Sequence, residues 1–276
     1  MPELPEVETV RRILGPQLAG QSVQGVDIRN AQVIAYPEVG QFEADLLGQS
    51  VTTMSRRGKY LTIHLKSGAA LSLHLRMTGQ LLVTPADMAE EKHTHLVLAL
   101  SGGSQLRYID QRRFGRFWLF RPGEEDALTG QADLGPEPTD PALNAEYLKA
   151  KLGKRKKAVK EMLHDQTVVA GIGNVYSDEI LFAAGIYPEA KCDTLDDDAW
   201  ERLAKAIPET ILWGIEADAM TPEEYLAGRG KEYRNADHLR VYGKEGRPCP
   251  TCGGLLCRKT IGGRSSTYCP HCQTYN

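Results

Sequence analysis

The chain of 276 residues has no long hydrophobic run. None of its apolar stretches approaches the roughly 18 residues needed to span a bilayer, which excludes a membrane protein with helical spans. Its first residues are acidic and no continuous apolar segment follows them, which argues against a secretory signal peptide. With 41% hydrophobic and 25% charged residues, the composition is that of a globular protein with a sizeable core. We therefore expect a cytoplasmic protein with no membrane partner.

The sequence also has no overall excess of positive charge. Its net charge of -3 and pI near 6.2 argue against a nucleic-acid partner, since domains that bind nucleic acids are often basic. The charge is unevenly placed, however: KLGKRKKAVK at 151–160 contains no acid, and residues 107–121 include five arginines. A phosphate responds to the charge of the surface that it meets, so a near-neutral net charge can hide a basic surface. Taken alone, each run is more simply a solvated helix face.

The hydrophobic periodicity changes along the chain. Residues 4–14 have helical spacing, and Pro5 suits the first turn of a helix. Short alternating runs between about 23 and 120 predict an antiparallel sandwich or barrel. A segment rich in glycine, proline and acids follows, and helical spacing resumes from about 144 to 233. The remaining C-terminal residues lose this spacing and contain most of the cysteines.

Four of the six cysteines form two CxxC pairs, Cys249 with Cys252 and Cys269 with Cys272. This spacing is typical of a zinc site, because four thiolates satisfy a tetrahedral Zn²⁺. Four protein ligands leave no open position, so we expect one structural Zn²⁺. Disulfides are the alternative, and a cytoplasmic chain argues against them. The glycines between the pairs fit the tight turns of a β-hairpin, although a zinc ribbon alone is as typical of protein contacts as of DNA contacts.

The N-terminal sequence MPELPEVETV places a proline directly after the initiator methionine. Removal of Met1 would leave Pro2 with a free secondary amine, and an α-amino group has a pKa of about 8, so part of it is unprotonated near neutral pH. Such amines form Schiff bases with carbonyl carbons, and Glu3 beside it could donate or accept a proton. A well-capped helix start explains the same residues without any chemistry.

The segment PELPEVETVRR resembles the start of bacterial formamidopyrimidine-DNA glycosylases, the Fpg branch of the Fpg/Nei family. Further similar segments follow in family order across nearly the whole chain: RRGKYL (56–61), HLRMTG (74–79), KHTHLVL (92–98), DQRRFGR (110–116), LGPEP (134–138), HDQTVVAGIGNVYSDEILFAAGIYP (164–188), VYGKEGRPCPTCGG (241–254) and GRSSTYCPHCQ (263–273). The resemblance implies a multidomain α+β fold. Its expected parts are an N-terminal antiparallel β-sandwich domain with an N-terminal helix at 1–125, a linker at 126–140, a helix–two-turn–helix domain at 141–235 and a C-terminal zinc-finger hairpin at 236–276.

The resemblance also implies an activity. The chain would be a bifunctional DNA glycosylase and abasic-site lyase of base excision repair, removing oxidised purines such as formamidopyrimidines and 8-oxoguanine from duplex DNA. Pro2 would attack C1′ of the damaged nucleotide, Glu3 would protonate the sugar ring oxygen, and successive β- and δ-elimination would cut the strand. Lys59, near the lesion phosphate, and Arg264 would complete the catalytic set. We expect a monomer that acts on the bacterial nucleoid and needs no organic cofactor.

The same resemblance implies a set of DNA-binding residues. Met77, Arg112 and Phe114 would fill the void left by an everted nucleotide, because an apolar wedge and a stacking ring replace lost contacts and an arginine can bond the orphan base. From the residues alone, core packing explains Met77 and Phe114 and surface solvation explains Arg112. The other expected DNA-binding residues are His95, Lys160 and Asn174, the last of them on a phosphate that flanks the lesion.

The segment after Trp213, GIEADAMTPEEYLAGRGKEYRN, departs from the family pattern. Many members have a Gly-Gly-Ser-Thr-like loop there that covers the extruded base, whereas Pro222 here predicts a short helix. The preferred lesion is therefore open, and an endonuclease VIII-like enzyme for oxidised pyrimidines is the nearest alternative, although Leu4 favours the Fpg branch. A zinc-containing DNA-binding protein without catalysis is a second alternative, and Pro2, Glu3 and Lys59 argue against it.

Overall fold

The computed structural model describes residues 2–124, 127–231, 233 and 235–274, without the side chains of 235 and 236. The chain divides into two compact units, and each is continuous in space but not in sequence. The first unit contains Pro2, Glu6–Ala132 and Asp218–Tyr233, and the second contains Glu3–Pro5, Asp133–Ala217 and Arg234–Asn276. Among the described residues, no helix has the length and apolar character needed to cross a membrane.

The first unit is a β-sandwich with helices. Its helices are α1 (Leu4–Leu18, which begins in the second unit), α2 (Val39–Leu46) and α7 (Pro222–Ala227). Its strands are β1 (Val23–Ile28), β2 (Ile34–Tyr36), β3 (Val51–Arg57), β4 (Tyr60–Leu65), β5 (Ala70–His74), β6 (Gly79–Pro85), β7 (Thr94–Leu100), β8 (Ser104–Asp110) and β9 (Arg116–Phe120). One sheet has the order β1-β7-β8-β6 and the other β2-β9-β5-β4-β3. The described pairs are antiparallel except β2 with β9, which is parallel.

The core of this unit combines apolar residues of both sheets with one face of α1. The predicted face of α1 is buried, as the alternation of apolar positions at helical spacing requires: Val7, Val10, Ile13 and Leu14. The helix continues past the predicted end to Leu18, whose side chain is fully buried in the same core. Burial of that last turn therefore outweighs the helix-breaking tendency of Gly15 and Pro16.

The second unit is helical and ends in a hairpin. Its helices are α3 (Ala145–Leu152), α4 (Val159–Leu163), α5 (Asn174–Ala184), α6 (Asp197–Ala217) and α8 (Asn235–His238), and its strands are β10 (Cys257–Ile261) and β11 (Arg264–Tyr268). The buried side chains of α3 to α6 form one core around Trp200 and Tyr176, and Leu4 from the N-terminal segment packs into it. A smaller cluster that includes Cys249 and Cys269 lies at the hairpin.

The segment Asp218–Tyr233 belongs to the unit that contains the sandwich, whereas the prediction placed it in the helical domain at 141–235. Tyr225 accounts for this: its ring is buried in the sandwich core and its Oη donates to the Leu81 carbonyl at 3.1 Å. The short helix predicted at Pro222 is present as α7, and Thr221 caps it. The predicted boundary between 125 and 126 lies outside the described residues.

One ion cluster ties α1 to the sandwich. The Glu8 carboxylate bonds Arg11 (2.7 Å) and Arg12 (2.9 Å) on its own helix and Arg56 (3.1 Å) on β3. Burial raises the pKa of Glu8, but the hydrogen bonds and charges of the three arginines outweigh burial and lower it to about 2. A carboxyl whose pKa is lower in the folded state stabilises the fold above its unfolded value.

We expect the stability contributed by Glu8 to be lost as the pH falls from about 4.5, its value when unfolded, toward about 2. At pH 7, Glu8→Gln should lower the free energy of unfolding by about 2–3 kcal/mol, and its melting temperature should vary less with pH below 4.5 than that of the parent. Thermal melts between pH 2 and 7 measure this. Glu43→Gln, on the exposed side of α2, is the control and should match the parent. Parallel melting curves for Glu8→Gln and the parent would contradict the assignment.

Candidate functional site

The predicted site residues fall in both units, and each group is described within its own unit. The first unit contains Pro2, Lys59, Met77, His95, Arg112 and Phe114. The second unit contains Glu3, Lys160, Asn174, Arg264 and the four paired cysteines.

The side chain of Glu3 is fixed by the N-terminus of α5. Its carboxylate accepts backbone N–H bonds from Gly173 (2.8 Å), Val175 (2.8 Å) and Tyr176 (3.1 Å), and the residue is only 2% exposed. The first turn of a helix has N–H groups without intrahelical partners and carries the positive end of the helix dipole, so it binds a carboxylate well. Pro2, the residue directly before Glu3, is also buried.

The glycines of the AGIGN turn allow this contact. A Cβ on Gly173 would lie 2.4 Å from the carboxyl carbon of Glu3. Gly171, with φ of 87°, accepts the backbone N–H of Leu4 at 3.1 Å, and a Cβ there would lie 2.5 Å from the Leu4 side chain. In the structure these glycines admit the N-terminal segment of the chain itself.

Lys59 lies in the two-residue turn between β3 and β4, and it is 7% exposed. Gly58 before it has a φ of 54°, which glycine adopts without strain.

Burial, aided by the charges of Arg76 and Lys59, lowers the pKa of His74 to about 3. The neutral imidazole accepts the backbone N–H of Arg76 at 2.9 Å and so holds the turn that leads to Met77.

Met77, Arg112 and Phe114 form one exposed cluster. Met77 and Phe114 are 45% and 46% exposed, so the alternative that they pack in the core is wrong. The Arg112 guanidinium lies over the Phe114 ring at 4.6 Å from its centroid and donates to the Met77 sulfur at 3.1 Å. Arg76 and Arg113, which flank the cluster in sequence, have left-handed backbone conformations that bulky residues rarely adopt. Both loops are thus held in backbone conformations that cost energy.

A buried carboxylate that the sequence analysis missed holds these loops. Asp110 is 0% exposed and ends β8 directly before the loop that carries the arginine and the phenylalanine. It accepts five hydrogen bonds, from Thr78 Oγ1, Tyr108 Oη and the backbone N–H groups of Arg112, Phe114 and Gly115. Burial raises the pKa of Asp110, but the Gly115 N–H and the Thr78 and Tyr108 hydroxyls outweigh it and keep the pKa below its usual value. An ionised Asp110 therefore joins the Met77 turn to the Phe114 turn.

His95 does not fit the DNA-binding role predicted for it. Its ring lies on β7, is 9% exposed and bonds the Asp110 carbonyl through Nε2 at 2.8 Å, so it supports the loop from inside. His93, two residues earlier, is exposed and has a φ of 70°. The sequence KHTH contains both histidines, and only the onset of the strand at Thr94 distinguishes the exposed one from the buried one.

Lys160 is also placed differently from the prediction. Its ammonium bonds Asp178 Oδ1 at 2.7 Å and the Ser265 carbonyl at 2.8 Å, and its side chain is 1% exposed. A phosphate could reach this ammonium only if the residues above it moved. The placement therefore argues for an internal structural role rather than a direct DNA contact.

Asn174 and Arg264 are accessible, in contrast to Lys160. Asn174 is the first residue of α5 and is half-buried, with its Nδ2 at 3.5 Å from Tyr242 Oη. Its Oδ1 has no hydrogen-bond partner in the part of the chain that the structure describes. Arg264 is exposed at the turn of the β10–β11 hairpin, and its guanidinium makes no hydrogen bond or ion pair with the described residues. The exposed Arg264 guanidinium can therefore bind an external anion, whereas the buried Asn174 Oδ1 is an acceptor and needs a hydrogen-bond donor.

The four paired cysteines fit a zinc ion. Their sulfur atoms all lie within 4.8 Å of one another, with 3.9 Å between Cys249 and Cys272 and 3.5 Å between Cys252 and Cys269. Four sulfurs at about 2.3 Å from a tetrahedral Zn²⁺ are about 3.8 Å apart, which matches these distances. The Thr251 N–H also donates to the Cys249 sulfur at 3.4 Å, as a thiolate acceptor favours. The set leaves no open position, so this is a structural site.

The fold and these sites define a DNA glycosylase. A sandwich presents an exposed cluster of a methionine, an arginine and a phenylalanine, a capped helical turn holds the residue next to Pro2, and a four-cysteine finger carries an exposed arginine. An enzyme that acts on a base inside a duplex needs such a wedge, because it must turn the nucleotide out of the stack.

Comparison with known proteins gives the family. The chain matches the formamidopyrimidine-DNA glycosylase N-terminal domain over residues 1–117, the formamidopyrimidine-DNA glycosylase H2TH domain over 134–225, and the zinc finger found in FPG and IleRS over 246–274. The chain belongs to the formamidopyrimidine-DNA glycosylase family. Its predicted fold, zinc finger and enzyme class are thereby confirmed: it is a DNA glycosylase with abasic-site lyase activity, of the base-excision repair branch that excises oxidised purines.

Individual relatives match along nearly the whole chain. The formamidopyrimidine-DNA glycosylase of Moorella thermoacetica is 46% identical, with 93% of each chain covered, and that of Pelotomaculum thermopropionicum is 42% identical, with 99% of each covered. A crystal structure of the Lactococcus lactis enzyme with FAPY-dG-containing DNA is 33% identical and covers 99% of this chain and all of that chain, with a TM-score of 0.87. A homologous structure thus holds damaged DNA.

We expect Asp110→Asn to impair base excision more than strand cleavage. An amide cannot accept all five hydrogen bonds, so the Phe114 turn should loosen, and base excision from a duplex should slow by about 10-fold, a cost of about 1.4 kcal/mol. Cleavage of a single-stranded abasic oligonucleotide needs no void filling and should change by less than about twofold. Gel assays on the two substrates measure the difference.

The matched control is Asp87→Asn, at an exposed position between β6 and β7, which should behave as the parent on both substrates. Equal losses on duplex and single-stranded DNA would show that Asp110 supports the fold in general and not the void-filling loops.

Proposed function

We propose that this chain binds damaged double-stranded DNA and excises oxidised purines with the amine of Pro2 as its nucleophile. The observation that carries the proposal is the cap of Glu3 on α5, which holds the residue next to Pro2 in a fixed place. Consecutive Cα atoms are about 3.8 Å apart, so the cap also restricts where the Pro2 nitrogen can lie. We further propose that the enzyme acts as a monomer on the nucleoid in the bacterial cytoplasm.

The first chemical step forms one bond and breaks another. The lone pair of the Pro2 nitrogen attacks C1′ while the bond from C1′ to the base breaks, and the departing base takes the electron pair and then a proton. The attached nitrogen, now an ammonium, loses its proton, and its lone pair then opens the C1′–O4′ bond as a proton reaches the ring oxygen, which leaves an iminium ion between Pro2 and the sugar. Glu3 is the group proposed to deliver and later retrieve protons at this point, since it is covalently next to the nucleophile.

Two eliminations then cut the strand. The iminium acidifies C2′, and loss of a proton there expels the phosphate on C3′ with its electron pair. Loss of a proton from C4′ expels the phosphate on C5′, and water hydrolyses the remaining imine to free Pro2. Each departing phosphate gains negative charge, so a nearby cation lowers the barrier. We assign Lys59 to the first departure and Arg264, which is exposed at the hairpin turn, to the second.

The remaining residues position the duplex. The cluster of Met77, Arg112 and Phe114 is proposed to occupy the space of the everted nucleotide, with the arginine toward the orphan base. Asn174, at the start of α5, is proposed to bind a phosphate that flanks the lesion. These contacts do not read sequence, which suits an enzyme that searches for damage. The zinc ion held by the four cysteines supplies no chemistry and fixes the fold of the hairpin that carries Arg264.

The lesion ranking is proposed to depend on the segment from Asp218 to α7. Its Tyr225 is anchored in the sandwich core, and Asp218 is fully buried. Burial and the charge of Asp218 raise the pKa of Tyr225, so the two side chains share one electrostatic environment. A buried acid favours bases that offer hydrogen-bond donors, such as the opened ring of a formamidopyrimidine.

We expect Pro2→Gly to lose most covalent trapping. Borohydride reduces the iminium to a stable amine, so wild-type enzyme incubated with abasic duplex should become covalently attached to DNA. The proline ring makes the nitrogen a secondary amine, which forms a permanently cationic iminium and directs its lone pair, and glycine lacks both properties. Trapping of Pro2→Gly should fall by about 10-fold or more, read from a denaturing gel.

Pro5→Ala is the control, because it changes the same segment without touching the terminal amine. It should trap DNA as the parent does. Trapping of Pro2→Gly at the parental rate would assign the nucleophile to another amine. A wild-type preparation in which mass spectrometry finds Met1 retained should fail to trap, and efficient trapping by it would equally overturn the role of Pro2.

A further inference from the structure

The hairpin of the second unit presents Arg264 at a defined point. Ile261 pairs with Arg264 across the β10–β11 register, so Gly262 and Gly263 alone form the turn. Their φ values of 55° and 76° are left-handed, which is the geometry of a tight two-residue hairpin turn. Arg264 is the first residue of β11, and its exposed guanidinium is set by the position of this short turn.

A buried ion pair lies directly beneath the strand that Arg264 begins. Lys160 and Asp178 are 2.7 Å apart, with 1% and 0% of their side chains exposed. Lys160 also donates to the Ser265 carbonyl at 2.8 Å, while Asp178 accepts the Ser266 hydroxyl at 2.7 Å and the Thr267 backbone N–H at 2.9 Å. The pair thus holds the three residues that follow Arg264.

The turn is held from α4 as well. The Glu161 side chain lies against Gly262, where an added Cβ would come within 2.6 Å of its Cγ. The neighbouring Gly263 has nothing within 4 Å of such a Cβ. The backbone at Arg264 is therefore held on both sides. The Lys160–Asp178 pair holds the residues that follow it, and Glu161 of α4 lies against the turn that precedes it.

The energetics of the pair favour a positioning role. Removing two charges from water costs about as much as their attraction returns, so a buried ion pair contributes little net stability compared with apolar residues of similar size. Its remaining bonds, however, fix the strand geometrically. Burial lowers the pKa of Lys160, the charges of Asp178 and Glu3 oppose this, and the charge of Arg264 adds to it, which puts Arg264 in the same electrostatic environment as the pair.

We propose that Asp178, together with Lys160, is a positioning residue for the second elimination, because it sets the place of Arg264 at the departing C5′ phosphate. The inference rests on the proposed function of Arg264. It assigns to the pair no contact with DNA. The pair should therefore leave base excision and the first elimination nearly untouched and affect only the conversion of the β-elimination product into the β,δ-elimination product.

The test follows both products on a duplex with one abasic site. Wild type, Asp178→Asn and Arg264→Gln are compared, with Asp198→Asn on the exposed first turn of α6 as the matched control. Asp178→Asn should accumulate the β-elimination product, with the second step slowed by about 10-fold, while the borohydride trapping rate stays within about twofold. Combining it with Arg264→Gln should add no further loss, since both act through one group.

A second pair of variants covers the case in which Asp178→Asn fails to fold. Gly262→Ala and Gly263→Ala carry the same backbone strain, but only the first meets Glu161. Gly262→Ala should slow the second elimination more than Gly263→Ala does, at equal zinc content and equal trapping.

These outcomes distinguish a failure of the role proposed for Arg264 from a failure of the positioning role of Asp178. If Arg264→Gln keeps the wild-type product ratio, the proposed role of Arg264 fails. If Arg264→Gln loses the second elimination while Asp178→Asn keeps it, or while Gly262→Ala matches Gly263→Ala, the positioning role is overturned and the proposed function stands.

Discussion

The structure depends on the hydrogen bonds between the Glu3 carboxylate and the N-terminus of α5. Glu3 accepts three N–H bonds from the first turn of α5, and the residue is only 2% exposed. Hydrogen bonds to a charged acceptor are among the stronger ones, and losing this set would leave the buried N–H groups of Gly173 and Tyr176 without this acceptor. The start of the chain, which is usually frayed, is thereby ordered. A nucleophile at the second residue requires such an anchor, because a mobile terminus would lose most of the advantage of a held geometry.

The same device recurs on α5 and on the sandwich. Asp178 accepts hydrogen bonds from the strand that follows Arg264. Glu179 accepts hydrogen bonds from the backbone N–H groups of Arg240, Val241 and Tyr242 at 2.8–2.9 Å. In the other unit, Asp110 accepts hydrogen bonds from both loops that carry the cluster of Met77, Arg112 and Phe114. Asp178, Glu179 and Asp110 are each fully buried, and each accepts hydrogen bonds from the segment that it holds. These three acids thereby make irregular backbone rigid.

Much of this could be predicted from the sequence, and the failures have a common cause. Alternation of apolar residues predicted the sandwich, the CxxC spacing predicted the zinc finger, and Pro222 predicted α7. The supporting contacts of Asp110 and Asp178 were missed, and His95 and Lys160, predicted to contact DNA, lie buried with partners inside the protein. Sequence pattern shows that a residue is charged but not whether its partner is a phosphate or a buried carboxylate elsewhere in the chain. The one available signal was local, since Asp110 ends an apolar strand and so had to be buried.

The measurement that tests the central claim most directly is the trapping of abasic duplex by Gly173→Ala. Gly173 has an ordinary extended conformation, so the new methyl group acts only through its collision with the Glu3 carboxyl. Gly15→Ala, whose methyl group would make an ordinary 3.6 Å contact, is the control. The account predicts that Gly173→Ala folds and binds zinc yet traps DNA about 10-fold more slowly or worse, while Gly15→Ala traps normally. Equal trapping by both variants would contradict it.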